Sequence, residues 1–185
     1  MIKELMSETE ERMDKTVESL EEDFKSVRTG RASPALVERV TVEYYGMPTP
    51  LNQLAAISAP EPQMLLIRPY DPSSITAIEK GILQADLGLN PGNDGRVIRV
   101  PIPRLTEERR RELVKVVKRR VEEGKVALRN IRRDALEELR EYENEKLISE
   151  DDRKRGQDEL QKLIDRFTAK VDESGARKEQ DIMEI

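Results

Sequence analysis

All ten prolines of this chain lie between residues 31 and 104, and the stretches on either side hold none. Proline lacks a backbone donor and its ring clashes with the preceding helical turn, so long unbroken helices are confined to the two flanks. Five of the nine glycines fall in the same interval. The middle of the chain must therefore build something other than long helix, and whatever it builds is inserted into a helical frame.

The flanks carry the periodicity such a frame needs. Met6, Met13, Val17, Leu20, Phe24 and Val27 recur at helical spacing and predict a helix over residues 2–28, with Thr29-Gly30 ending it and Gly30 suited to a left-handed cap. Leu113, Val117, Val121, Leu128, Ile131, Ala135, Leu139 and Tyr142 form a second stripe. It predicts a helix from Thr106 to about Lys146, roughly 60 Å long at 1.5 Å per residue. Thr106 supplies a cap, and Glu107 and Glu108 suit the positive end of the helix dipole. Gly124 lies on this stripe, where close packing is sufficient reason for it.

Ser149-Glu150-Asp151-Asp152 reads as a third helix start, followed by Leu160, Leu163, Ile164, Phe167 and Val171. The short turn at Leu147-Ile148 makes the second and third helices antiparallel neighbours. With the first helix they form a bundle.

Inside the insert, Val40–Tyr45, Met64–Ile67 and Val97–Val100 read as strands, and Ile75, Ile78, Ile82 and Leu83 as a short amphipathic helix. Residues 90–95 read as a loop, and Tyr44 and Tyr45 are expected to pack on the two sides of their strand. The expected fold is α+β: a long three-helix bundle of residues 1–30 and 105–185, with a small α/β domain of residues 31–104 inserted in it. The two connections, at Gly30-Arg31 and Arg104-Leu105, are expected to act as a hinge.

Charge is distributed as unevenly as proline. The chain carries a formal −5, yet Arg104 to Arg133 holds twelve Lys or Arg against five acids, a net +7. A 100° helical wheel gathers Arg111, Lys115, Lys118, Lys125, Arg129 and Arg133 on one side, roughly 120° from the apolar stripe, with Glu122 the one acid in line. Arg132 falls between that row and the apolar edge, and Arg110 falls on the apolar side. A solvated helix face is the ordinary explanation of a charge run. A row so poor in balancing acids is instead expected to meet a nucleic-acid backbone. Aromatics are only 3%, which disfavours single-strand stacking and favours a folded RNA. That expectation needs the cations to face open solvent rather than neighbouring carboxylates.

Enzyme chemistry has little to work with. There is no Cys, which excludes disulfides and thiol catalysis, and no His, the commonest general base and metal ligand. No glycine-rich phosphate loop is present, and Asp151-Asp152 suits a helix start better than a metal. No catalytic residue, metal or cofactor is expected. No apolar run approaches bilayer length and the N-terminal residues lack a signal-peptide core, so a cytoplasmic protein without membrane contact is expected.

Five segments, taken together and in order, are more specific. They are Arg28-Thr29-Gly30-Arg31-Ala32-Ser33-Pro34, residues 42–51 (Val-Glu-Tyr-Tyr-Gly-Met-Pro-Thr-Pro-Leu), and Asp86-Leu87-Gly88-Leu89-Asn90-Pro91. The others are Ile98-Arg99-Val100-Pro101 with residues 105–110, and Arg129-Asn130-Ile131-Arg132-Arg133-Asp134-Ala135. Their combination resembles the ribosome recycling factor family over essentially the whole chain. The resemblance implies an L-shaped, tRNA-like monomer that binds the bacterial ribosome after peptide release. It implies splitting of that complex into subunits together with elongation factor G and GTP. Family contacts to large-subunit ribosomal RNA carry over to Arg110, Arg129 and Arg132, while Arg111, Lys115, Lys118, Lys125 and Arg133 are added by charge geometry alone. Two other classes remain as alternatives: a coiled-coil chaperone using apolar helix tips, and a small enzyme needing a cleft with convergent polar groups.

Overall fold

The structure, a computed structural model, describes residues 1–184. The chain divides into two compact units. One is Met1–Phe24 with Glu112–Gln180, and the other is Lys25–Arg111 with the segment beginning at Asp181.

The first unit is built from three long helices, α1 (Ile2–Lys25), α3 (Glu107–Asn144) and α4 (Glu150–Met183). Their stripes meet in one core in which Met13, Val117, Leu128, Leu139, Leu160 and Phe167 are fully buried. Both predicted helix starts carry real caps. Thr106 Oγ1 accepts from the Arg109 amide at 3.1 Å. Ser149 Oγ accepts from the Asp152 amide at 3.1 Å while Asp152 Oδ2 accepts from the Ser149 amide at 3.3 Å, a reciprocal box. Between α3 and α4 the chain turns through Lys146, whose φ is +60°.

Glycines set how closely the helices approach. A Cβ on Gly124 would lie 3.5 Å from Leu20 and 3.7 Å from Val171, ordinary contact distances. A Cβ on Gly175 would lie 2.4 Å from Val121 Cγ2, so α3 and α4 come together there only because that atom is missing. Arg12–Asp134, Arg120–Asp23 and Arg166–Glu10 tie the helices at their rims.

Helix α1 ends at Lys25, three residues before the expected end, and Gly30 is not left-handed. Val27, the last residue of the predicted stripe, is only half-buried, so nothing rewards a further turn.

The second unit holds a hairpin of β1 (Thr41–Tyr44) and β2 (Met47–Pro50). It also holds an antiparallel sheet of β3 (Ala55–Glu61), β4 (Met64–Pro69), β5 (Gly92–Asn93) and β6 (Ile98–Pro101), in the order β3-β4-β6-β5. Helix α2 (Ile75–Gln84) packs on β1. There a Cβ on Gly81 would meet the Thr41 carbonyl at 3.2 Å. Val42, Leu51, Leu65, Ile67, Ile78 and Ile98 are buried in this unit's core. Leu83, expected on the buried side of α2, is exposed.

Strands β2, β3 and β5 were not expected. Their residues, Met-Pro-Thr-Pro, Ala-Ala-Ile-Ser-Ala-Pro-Glu and Gly-Asn, have poor strand composition. Pairing recruits them where proline is tolerated: β2 has a single partner, β3 is an edge, and the β3–β4 register shifts between Ser58 and Glu61, around Pro60. Tyr45 does not pack on a strand face. It is 81% exposed in the turn, with φ +49° followed by Gly46 at +75°. Its neighbour Tyr44 is half-buried and donates to Asp71 Oδ2 at 2.9 Å.

Phe167 is wholly buried, with the Arg166 and Lys170 cations 5.0 and 4.7 Å from its ring centroid. Phe167→Ala is expected to cost about 3–5 kcal/mol, read from urea unfolding followed by helical circular dichroism. A second prediction concerns Asp94. The Val97 and Arg96 amides donate to its Oδ1 at 2.9 Å and Arg99 Nη1 to its Oδ2 at 3.0 Å. Those donors, Val97 foremost, lower its pKa from 3.8 to about 2. A depressed carboxylate stabilises the fold above its unfolded value and loses that contribution as pH falls through the window below it. Thermal melts of the wild-type chain should therefore drop toward those of Asp94→Asn between pH 3.8 and about 2.

Candidate nucleic-acid interface

Burial of the α3 stripe decides where its cations go. With Val117, Leu128, Ile131, Ala135 and Leu139 turned into the core, side chains about a third of a turn around the axis must face outward. Lys115, Lys118 and Arg133 do so: all three are exposed, and none makes an ion pair among the described residues. They span 18 residues, roughly 27 Å of helix.

Three others of the expected row are tethered. Arg111 Nη2 pairs with Glu107 at 2.5 Å, Lys125 Nζ with Asp172 of α4 at 2.5 Å, and Arg129 Nη2 with Glu122 at 2.8 Å. The condition that the cations face solvent rather than carboxylates thus holds for part of the row. Arg111 and Arg129 are still exposed, and exposed pairs of this kind contribute at most about 1 kcal/mol, so an approaching phosphate can displace the carboxylate. Lys125 is half-buried against α4 and is held more firmly.

Arg132 is half-buried. Its Nη1 donates to Gln161 Oε1 at 3.2 Å, and its Nε is enclosed without a partner. Arg110, which the wheel puts on the apolar side, is only 9% exposed, with an enclosed and unpartnered Nε. Its spacing of three and seven residues from Leu113 and Val117 puts its stem on the stripe side, where the alkyl chain is covered like any apolar group.

Two cations were missed. Arg119 and Arg140 are exposed and make no ion pair among the described residues. Arg140 lies seven residues beyond Arg133, nearly in line with it, and the wheel alone could have found it. Of the expected hinge residues, Arg31 pairs with Glu184 at 2.5 Å, Leu105 is buried and Arg104 is exposed; with Gly30, all lie within the second unit.

The family model for ribosome recycling factor matches residues 20–183. The chain belongs to the ribosome recycling factor family. Ribosome-recycling factors of Heliobacterium modesticaldum and Chloroflexus aurantiacus are each 57% identical to it over 185 residues, covering 100% of both chains. A solution structure of a ribosome recycling factor superposes with a TM-score of 0.78 at 43% identity, covering 100% of this chain and 98% of that one. The T. thermophilus ribosome recycling factor, described with E. coli elongation factor G on the E. coli post-termination complex, matches at TM-score 0.68 and 48% identity over 100% of both chains. The family serves protein synthesis and is not a family of enzymes. Among the described residues no helix is long and apolar enough to cross a membrane.

Lys115, Lys118 and Arg133 are the expected-row cations that are exposed and make no ion pair among the described residues, so they test the expected RNA contact most directly. Replacing Lys115, Lys118 and Arg133 together by Gln is expected to weaken binding to large ribosomal subunits. The slope of log affinity against log salt should flatten by about 2 to 3, as loss of three phosphate contacts requires. Filter binding across a salt series measures both.

Proposed function

We propose that this chain recycles ribosomes by gripping folded ribosomal RNA of the large subunit through the outward face of α3. The observation that carries this reading is the run of exposed cations at Lys115, Lys118 and Arg133, free of carboxylate partners among the described residues. Arg111 and Arg129 join on contact by exchanging a carboxylate for a phosphate, and Arg132 is steadied by Gln161. Lys and Arg on phosphates supply affinity and register without reading base sequence, which suits a fixed docking site on one large RNA.

The partner in splitting is elongation factor G, whose GTP hydrolysis supplies the work; the T. thermophilus relative described with that factor on a post-termination complex supports this. Residues 31–104 act as the inserted domain, turning about Gly30-Arg31 and Arg104-Leu105 when the GTPase pushes on it. The factor acts as a cytoplasmic monomer and makes or breaks no covalent bond. A coiled-coil chaperone is less well supported, since the long exposed feature of α3 is ionic rather than apolar.

Arg132→Glu tests docking and splitting together. Reversal of a charge at the interface is expected to weaken large-subunit binding by roughly ten-fold and to lower the rate of subunit splitting in proportion. Splitting assays with and without elongation factor G and GTP read the second quantity. Unchanged affinity in Arg132→Glu would remove α3 from the docking surface.

A further inference from the structure

Glu122 is an acid placed inside the basic row. It follows Lys118 by four residues and precedes Arg129 by seven, so along α3 it stands roughly 6 Å from the one and 10 Å from the other. Its Oε1 accepts from Arg129 Nη2 at 2.8 Å, and both side chains are more than half exposed. The other two carboxylates that hold row cations are placed differently. Glu107 precedes the first of those cations that it serves, Arg111, and Asp172 reaches Lys125 from α4. Of these three carboxylates, only Glu122 lies on α3 between members of the row, Lys118 and Arg129.

We propose that Glu122 is a specificity-determining residue that makes α3 discriminate its folded RNA site from ordinary duplex RNA; this rests on α3 being the RNA-docking face. A duplex presents an unbroken track of phosphates. Any track that reaches from Lys118 to Arg129 must cross Glu122, displace it from Arg129 and then lie against its charge. At physiological salt, repulsion acts over about 8 Å, so neighbouring phosphates feel it. A folded RNA that sets one phosphate on Lys118 and another on Arg129, with none between them, also displaces Glu122 from Arg129 but does not lie against its charge. Where a 2′-hydroxyl or base amino group faces the gap, the carboxylate accepts a hydrogen bond. Discrimination arises because the acid weakens the wrong ligand more than the right one.

The test compares Glu122→Gln with the wild-type chain by filter binding to isolated large subunits and to a non-cognate RNA duplex, at several salt concentrations. Gln keeps the size and nearly the helix propensity of Glu, so the helix survives. The duplex is expected to bind about three-fold more tightly and the large subunit to change by less than about two-fold, so their ratio falls. Glu122→Asp keeps the charge while shortening the reach to Arg129, and it should keep the wild-type ratio. A ratio that is unchanged or rises in Glu122→Gln, or that falls equally in Glu122→Asp, overturns the proposal. The variant lacking Lys115, Lys118 and Arg133 separates the two levels. If it binds large subunits as wild type does, the docking face itself is wrong. If it binds weakly while Glu122→Gln leaves the ratio alone, only the role of Glu122 falls.

Discussion

Burial of the α3 stripe against α1 and α4 orients everything else on the bundle. A helix has one rotation about its axis, and packing Val117, Leu128 and Leu139 into the core uses it up. Lys115, Lys118 and Arg133 then have no choice of side, and the spacing between them is the spacing of helical turns. The rigidity of the row follows from the same packing, since a core that fits α4 against α3 as closely as Gly175 fits Val121 leaves little room for the helix to roll.

Within that frame the cations fall into three environments. Some are free, some are loosely tethered to exposed carboxylates, and Arg110 and Arg132 are partly enclosed with an unpartnered Nε each. The tethered ones matter because exposed ion pairs are weak and exchangeable. A surface of this sort holds its charges apart in the free protein and makes more of them available as an RNA backbone approaches. On the proposed reading, an acidic chain thereby confines its attraction for nucleic acid to one face, since its net charge of −5 disfavours general adhesion.

Long periodic elements were legible from residue order alone. The helix starts at Thr106 and Ser149 were visible because a hydroxyl followed by acids satisfies the first amides of a helix locally. The ends were less so: α1 stops at Lys25 because Val27 finds too little to pack on, which is a tertiary fact. Strands β2 and β3 escaped notice because Pro48, Pro50 and Pro60 argue against a strand until the partner strand is known. Tyr45 looked like a strand residue because its neighbours are, yet it occupies a left-handed turn position that only the hairpin register reveals.

The candidate interface divides along the same line. Residue order determined that a basic row would lie opposite an apolar stripe, because both follow from a helical period of 3.6 and need no neighbour. The family signature, too, is a property of residue order. Only the tertiary structure decided which cations remain free, because an ion pair depends on where other elements bring their carboxylates. Asp172 meets Lys125 from a helix that begins 25 residues farther along the chain. Charge is written in the chain; its availability depends on distances between residues far apart in it.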